Sequence, residues 1–240
     1  MMATIDIQHT QDLAELFVLA LGKLFPSDTV QTLVHTYPKG SVMLWQDKVP
    51  KRVLLITEGL AASRMLLANG KEVLIAIHGH GVTLGDLEYF TLGTPAACEV
   101  KALEDSRCMA VDYPTMARML RVEPGLGEAF AGLIARRLYR SSRRMSTSIA
   151  YPLEYNLLQA LLARLDGHQP LGLIEDAMDY SLDLRPLTRK DLAEYLGHSE
   201  RHINRVLRAL AEEGIVSLDS QMIHAVEKER ASQRLLELED

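Results

Sequence analysis

Cysteine, aromatic residues and long apolar segments are all scarce in this sequence. Only Cys98 and Cys108 occur among 240 residues, which is too few for a disulfide framework and is typical of a reducing compartment. No run approaches the roughly 18 uncharged apolar residues that a membrane-spanning helix requires. The first residues include Asp6 and Asp12 and lack a basic segment followed by an apolar one. We therefore expect no secretory signal, no membrane association and a cytoplasmic location.

Positive charge is scarce overall but unevenly distributed. With 26 basic and 32 acidic residues the formal net charge is -6, which argues against a nonspecific polyanion binder. Residues 113–150 nevertheless carry seven arginines and only two glutamates. Because only the contacting face of a DNA-binding protein must be positive, the total charge does not exclude binding to DNA. The length favours two domains over one.

Between residues 38 and 112 short apolar stretches alternate with turn residues, which is typical of a β-rich domain. Asn69-Gly70 predicts a hairpin with a two-residue type I′ turn, because both residue types tolerate a positive φ. The predicted strands are 41–45, 52–57, 61–67, 72–77, 97–102 and 108–111. Many short strands with evenly spaced turns predict a closed barrel or jelly roll.

A long helix is predicted from residue 124 to residue 150, where the apolar spacing becomes helical and breakers are few. Along it, small and apolar residues recur at alternating intervals of three and four, as in the seam between two parallel helices. These residues are Ala131, Ile134, Leu138, Ser141, Met145 and Ser148. We predict a homodimer through this seam; the alternative is that the same residues pack on the chain's own barrel. A second helix is predicted at 153–165.

The last quarter of the chain predicts a winged helix-turn-helix. Thr188 is suited to cap a helix at 189–196, and Gly197 is suited to the left-handed position that ends it. Ser199 then caps a second helix. Two short helices joined by a three-residue turn that contains glycine have the spacing of a helix-turn-helix. Two apolar stretches that follow predict the strands of a wing.

The second of these helices has an aliphatic face and a basic face. The aliphatic residues are Ile203, Val206, Leu207 and Leu210, and the basic ones are Arg201, Arg205 and Arg208. A guanidinium matches guanine O6 and N7 in the major groove and also pairs with phosphate, while Asn204 beside this face is suited to adenine. Charges opposite an apolar stripe are common on surface helices, but the caps, the turn and the wing around this one favour DNA binding.

The chain resembles the Crp/Fnr superfamily of bacterial transcription regulators over nearly its whole length, most closely in LTRKDLAEYLGHSERHINRVLRALAEEGIVSL. The segment IAYPLEYNLLQALLARL and the RH within the second helix are most similar to the YeiL-like branch. The resemblance implies an α+β fold with three parts. These are an N-terminal cyclic-nucleotide-binding-like β-barrel (a double-stranded β-helix or jelly roll) at 1–123, a long dimerisation helix at 124–150 and a C-terminal winged helix-turn-helix domain at 151–240.

The resemblance also implies partners and residue roles. A homodimer is expected to bind a palindromic operator in double-stranded DNA and to act with RNA polymerase, without enzymatic activity. Bases are expected to be read by Arg201, Asn204 and Arg205. Phosphates are expected to be contacted by Thr188, Arg189, Lys190, Ser199, His202 and Arg208. Many members carry Glu where Arg201 stands and often Arg where Glu200 stands, so the half-site is expected to differ from a TGTGA-like or TTGAT-like core.

The effector positions depart from the nucleotide-binding pattern of the family. Gly85 and Asp86 stand where a Gly-Glu pair holds the ribose, but alanines replace the Arg-Ser pair that binds the phosphate. The pocket positions are Leu84, Gly85, Asp86, Leu87, Ala96 and Ala97. Losing a charge-assisted hydrogen bond of roughly 1.5–3 kcal/mol predicts a degenerate pocket without a cAMP response. An Fnr-type iron–sulfur cluster requires four cysteine ligands, so two cysteines exclude it within one subunit, and no cofactor is expected.

The two cysteines leave two interpretations. Both lie on predicted neighbouring strands, so a redox switch is one alternative. A hairpin that turns at residues 104–105 sets Cys98 closer to Val111 than to Cys108, which favours buried structural thiols.

Two further functions compete with DNA reading. His78-Gly79-His80 has the spacing of a two-histidine metal site, as in a jelly-roll (cupin-like) metal enzyme with Asp86 or Glu88 as the carboxylate. No second histidine motif follows around 98–112, so we predict no metal ligands. An interaction protein that binds polyanions nonspecifically would use Arg136, Arg137, Arg140, Arg143 and Arg144. We expect these arginines to form a solvated flank of the long helix.

Overall fold

The computed structural model describes residues 13–165, 189–218 and 223–239. Within these ranges the helices are α1 Leu13–Leu24, α2 Ser27–Thr32, α3 Asp86–Phe90, α4 Tyr113–Val122, α5 Pro124–Ala150, α6 Leu153–Leu165, α7 Arg189–Leu196, α8 Glu200–Glu212 and α9 Lys228–Glu239. The strands are β1 Val34–Tyr37, β2 Val42–Leu44, β3 Arg52–Glu58, β4 Ala61–Leu66, β5 Glu72–His78, β6 Thr83–Leu84, β7 Glu99–Ala102, β8 Ser106–Asp112, β9 Val216–Leu218 and β10 Ile223–Val226.

Two four-stranded antiparallel sheets form the N-terminal barrel, with strand orders β1-β8-β3-β6 and β2-β7-β4-β5. Alternate residues of β3 point in opposite directions, as a pleated strand requires. Leu54 and Ile56 belong to the cluster between the sheets, whereas Val53 and Leu55 pack against helices outside. The predicted α+β jelly-roll fold is therefore confirmed.

Helices α1, α4 and the first turns of α5 cover the outer face of the β1-β8-β3-β6 sheet. Phe17, Met116, Leu126 and Phe130 are fully buried in this layer. Full burial of such a side chain contributes roughly 1.5–3 kcal/mol, so the start of α5 is held firmly on the barrel.

The C-terminal domain has its own core, built by α6, α7, α8, α9 and the β9–β10 hairpin. Leu157, Leu158, Ile203 and Leu207 are fully buried there. The bounds of α7 agree with those predicted from sequence, and β9 and β10 form the expected wing hairpin. Among the described residues, no helix combines the length and hydropathy needed to span a membrane.

The six predicted strands agree with β2, β3, β4, β5, β7 and β8 to within two residues at each end. The sequence pattern missed β1 and β6. β1 is half-buried along most of its length and lacks a clear alternation, and β6 has only two residues, so neither carries a local signal.

The β4–β5 hairpin lies where Asn69-Gly70 predicts it, but its turn is of another type. Gly70 has a φ of 79°, and Asn69 is not among the residues with positive φ. The Gly70 N–H donates to the Leu67 carbonyl at 2.9 Å, and the Leu67 N–H donates to the Lys71 carbonyl at 2.8 Å. A three-residue loop with one left-handed glycine closes the hairpin, so the two-residue type I′ prediction is wrong.

Candidate nucleic-acid interface and effector region

The helix-turn-helix begins from well-defined caps. The Ser199 side chain accepts a hydrogen bond from the His202 N–H at 3.3 Å, which satisfies one of the unpaired donors at the start of α8. Gly197 has a φ of 70°, and the His198 N–H returns to the Ala193 carbonyl at 2.9 Å. Both predicted roles are confirmed, and together they set the turn between α7 and α8. Thr188, the predicted cap and phosphate contact of α7, lies outside the described residues.

Helix α8 exposes the basic row that its periodicity predicts. Ile203, Leu207 and Leu210 are buried in the domain core. Arg201, Arg205 and Arg208 are exposed, and Lys190 on α7 is also exposed. The main contact of the helix-turn-helix with the barrel is made by α7 against β5, and the basic row of α8 stays exposed to solvent.

His202 holds one of these arginines. Nη2 of Arg205 lies 2.8 Å from Nε2 of His202. Because a guanidinium only donates, Nε2 must accept, and the contact therefore requires neutral His202 with its proton on Nδ1. The His198 ring packs edge-on against His202 with ring centres 5.1 Å apart. Burial, followed by the nearby His202 and Lys71, lowers the pKa of His198, so a neutral His198 is favoured.

Arg189 on α7 forms a hydrogen bond with Asn204 on α8. Its Nη1 donates to Oδ1 of Asn204 at 3.2 Å. An arginine cannot accept a hydrogen bond, so this partner fixes the amide oxygen of Asn204 toward α7 and leaves the amide nitrogen on the other side. Both residues are expected to contact DNA, but the sequence does not reveal that they bond each other.

The predicted effector residues sit in different surroundings. Leu84 is part of the barrel core, Leu87 and Ala97 are exposed, and Ala96 is buried. The Ala96 backbone forms hydrogen bonds of 2.8 and 2.9 Å with residues 47 and 48. Gly85 has a φ of 78°, and a Cβ there would lie 2.5 Å from the Arg52 carbonyl oxygen. Only glycine fits this corner.

Asp86 is almost fully buried and joins the barrel to the long helix. Its Oδ2 accepts from Nη1 of Arg137 at 2.7 Å, and Nη2 of Arg137 donates to the Thr83 carbonyl at 2.9 Å. The expectation that Arg137 lies on a solvated flank of the helix is wrong. A carboxylate that loses its water needs such a partner, and α5 supplies it.

Arg144 forms a second bridge, this time between three elements. It donates to the carbonyls of Ile75 and Leu74 on β5 at 3.1 and 3.2 Å, and its guanidinium lies 4.5 Å from the ring centre of Tyr195 on α7. Nε of Arg64 on β4 donates to Oε2 of Glu194 at 2.9 Å beside it. The C-terminal domain is thus docked on the β4–β5 hairpin, and the solvated interpretation of Arg144 is wrong as well.

The two histidines of the metal alternative are each bonded within the barrel. Nε2 of His78 lies 2.5 Å from the Ser63 hydroxyl, and Nδ1 of His80 lies 2.7 Å from the Thr57 carbonyl. Across the part of the chain that the structure describes, no three His, Cys, Asp or Glu side chains are grouped as metal ligands. The geometry does not favour the jelly-roll metal enzyme.

Cys98 immediately precedes β7 and Cys108 lies in β8, and these two strands belong to different sheets, so the expectation that they form one hairpin is wrong. β7, which follows Cys98, pairs with β2 and β4, whereas β8, which contains Cys108, pairs with β1 and β3. Two strands that follow each other through a tight turn need not pair, because in a jelly roll consecutive strands can belong to different sheets. Burial raises the pKa of Cys98 to about 11, with Glu88 adding to the effect, and raises that of Cys108 to about 12.

Two family models match the two halves of the chain. One, described as a cyclic nucleotide-binding domain, matches residues 34–123, and the other, described as a Crp-like helix-turn-helix domain, matches residues 156–230. The chain is 22% identical over 191 residues to the cAMP-activated global transcriptional regulator CRP of Salmonella typhimurium, covering 79% of this chain and 88% of that protein. It is 23% identical over 202 residues to the CRP-like cAMP-activated global transcriptional regulator of Mycobacterium tuberculosis, covering 82% and 86%.

A solved structure supports the same architecture. The c-di-GMP responsive global regulator CLP of Xanthomonas campestris superposes with a TM-score of 0.68 at 14% sequence identity, over 81% of this chain and 93% of that one. At this identity the likeness concerns the fold: an antiparallel barrel, intervening helices and a C-terminal helix-turn-helix.

Proposed function

The chain belongs to the Crp/Fnr family of transcription regulators, and from that premise we propose that it binds a roughly palindromic DNA operator as a homodimer. The observation that carries the proposal is the exposed row of Arg201, Arg205 and Arg208 on a helix whose other face is buried. In a twofold dimer, two such helices enter successive major grooves about 34 Å apart. RNA polymerase is the expected further partner, and the cytoplasm of a bacterium is the expected location.

Arg205 is the residue whose loss tests base reading most directly. Selection of bound duplexes from a random pool first supplies the operator. We expect Arg205→Ala to lose about 1–3 kcal/mol of binding free energy for that operator over unrelated duplex, because the guanine contact is lost. Competition mobility-shift assays measure this preference.

Arg143→Ala is the matched control, since Arg143 is an exposed arginine of α5 outside α8. It removes the same charge and is expected to leave the preference unchanged. If Arg205→Ala keeps full selectivity for the operator, the proposed role of Arg205 in base reading is wrong. If the selected duplexes contain no palindrome, the proposed binding of DNA as a homodimer is wrong.

The Arg189–Asn204 contact refines the expected half-site. A bidentate contact with adenine uses both the oxygen and the nitrogen of an asparagine amide. While Arg189 occupies the oxygen of Asn204, the amide presents its N–H groups. We therefore expect Asn204 to donate to a major-groove acceptor of any of guanine, thymine or adenine, and to lose the bidentate contact that would single out adenine.

The effector pocket at residues 84–87 and 96–97 is proposed to be degenerate. The Salmonella and Mycobacterium relatives are cAMP-activated, but Ala96 and Ala97 offer no charge to a cyclic phosphate. Asp86 is already paired with Arg137, so a ribose hydroxyl would have to displace that bond. Both features support a regulator that does not respond to cAMP.

A further inference from the structure

A cavity of about 220 Å³ opens at the end of the barrel beside the loop between β2 and β3. Its floor is apolar. Met43 and Leu54 belong to the buried cluster between the two sheets, and half-buried Tyr37 packs against the same cluster. Burial raises the pKa of Tyr37, so its phenol is neutral and the floor carries no charge.

The rim of this cavity combines exposed apolar and cationic side chains. Trp45 is 60% exposed and Val49 is 49% exposed, so apolar surface continues from the floor to the mouth of the cavity. Lys48 and Lys51 are exposed beside them. Arg52 contributes a third cation, although it lies 3.5 Å from His35 and opposite Asp112 across the β3–β8 pair.

The described residues that line the cavity include three cations and no carboxylate. A surface with an apolar depression and a cationic edge is complementary to a molecule with an apolar body and an anionic head. A single water needs roughly 10–15 Å³ of such space, so the cavity is large enough for a small organic molecule.

We propose that this cavity binds a small amphipathic anion, with a carboxylate or phosphate head at Lys48 and Lys51 and an apolar body against Trp45, Met43 and Leu54. The proposed site uses residues of β1, β2, β3 and their connecting loop. None of the positions 84–87, 96 and 97, where the nucleotide-binding pattern is lost, lines this cavity, although its rim adjoins them through Lys48, which bonds the Ala96 backbone, and Pro50 beside Gly85.

The loop that forms the rim also contacts Gly85, the residue before the one that bonds to α5. Pro50 and the Arg52 carbonyl lie within 3.7 Å of the position that a Cβ on Gly85 would occupy. The next residue, Asp86, is held by Arg137 of α5. A ligand that shifts this loop therefore acts on the contact between the barrel and the long helix. This effector role rests on the proposed function, whereas binding itself does not.

Trp45 provides the test, because it is the only tryptophan of the chain. Full-length protein is titrated with octanoate, below its micelle concentration, while tryptophan fluorescence is recorded. We expect a saturable blue shift as the exposed indole becomes covered. Octyl phosphate determines whether the head group is a carboxylate or a phosphate. 1-Octanol and octylammonium, which have the same apolar body without a negative charge, are expected to bind at least tenfold more weakly.

The double variant Lys48→Gln/Lys51→Gln is expected to weaken binding of the anionic probe at least tenfold. Lys71→Gln, at the tip of the β4–β5 hairpin and outside the cavity lining, is expected to leave it unchanged. Equal binding of octanol and octanoate, an unaffected double variant, or no saturable change with either anion would overturn the proposal. If the protein binds the anion saturably but selects no duplex, the proposed binding site stands and the proposed function as a DNA-binding regulator is wrong.

Discussion

Arg137 and Arg144 lie about two helical turns apart on α5, and both side chains leave the helix to bond with the barrel. A sequence pattern treats such arginines as solvated, because charges on a surface helix usually are. A buried guanidinium is stable only where acceptors surround it. Here the acceptors are backbone carbonyls of β5 and β6 and the Asp86 carboxylate, which no helical periodicity reveals.

The two thiols are expected to be poorly reactive at neutral pH. Only the thiolate is nucleophilic, and burial keeps the pKa of Cys98 at about 11 and that of Cys108 at about 12. At pH 8 we expect alkylation by iodoacetamide to be slower than in the unfolded chain, whose thiols ionise near pH 8.5, by on the order of a hundredfold at Cys98 and a thousandfold at Cys108. The alkylation rate is expected to increase as the pH rises toward 10, because more of each thiol is then ionised. Cys98 has the lower pKa of the two and is expected to react faster.

Mass spectrometry of the two cysteine-containing peptides follows the reaction. The same protein in guanidinium chloride supplies the unfolded rate. Rapid modification of the folded protein at pH 8 would contradict the interpretation of the cysteines as buried structural thiols. It would favour the alternative that they form a redox switch.

The contact between α7 and the β4–β5 hairpin couples the C-terminal domain to the barrel. Tyr195 is buried with Ala62 and Leu74 of the hairpin and Ala160 of α6. Arg144 contributes two charge-assisted hydrogen bonds and a cation–π contact to this junction. The orientation of α7 and α8 relative to the barrel therefore depends in part on Arg144, a side chain of the long helix.

Arg144→Met is expected to loosen this docking while keeping the apolar stem of the side chain. Loss of hydrogen bonds from a charged donor and of a cation–π contact costs about 2–4 kcal/mol together. We expect faster hydrogen–deuterium exchange in β5 and α7. Arg143→Met, one residue away and exposed, is the matched control. Unchanged exchange in the Arg144 variant would show that apolar packing alone holds the domains together.

The long helix leaves its predicted seam uncovered in the single chain. Leu138 is 68% exposed and Met145 is 62% exposed, and Ile149 is exposed near the same end of the helix. The alternative that the seam packs on the chain's own barrel is not favoured, because the buried side of α5 is formed by Leu126, Phe130 and Leu133. A second copy of the helix is the expected cover, since large apolar side chains in a row are rarely left to water.

The double substitution Leu138→Glu/Met145→Glu is expected to convert a dimer into a monomer of 26.8 kDa. Charges in a helix seam lose their water and repel their symmetry copies, so association weakens by several kcal/mol. Light scattering coupled to size-exclusion chromatography measures the mass. Tyr139→Glu adds one charge at an exposed position outside the seam and is expected to remain dimeric. If the unsubstituted protein is a monomer at micromolar concentration, this seam is not a dimer interface.

Sequence reasoning identified most strands, the helix-turn-helix and the exposed arginines of α8. The Ser199 cap, the left-handed Gly197 and the aliphatic stripe of α8 depend on residues within a turn or two of each other, so their chemistry can be read in order along the chain. The type of the β4–β5 turn was missed because a hairpin loop of two or three residues carries the same Asn-Gly signal.

Local sequence alone thus specified the elements and the chemistry of the basic helix. The packing of distant segments settled which charged residues are solvated and which join the domains. Asp86 meets Arg137 across 51 residues, and Arg64 meets Glu194 across 130. Such pairs form only when separate elements have been brought together, because the burial that makes them necessary is created by the fold itself.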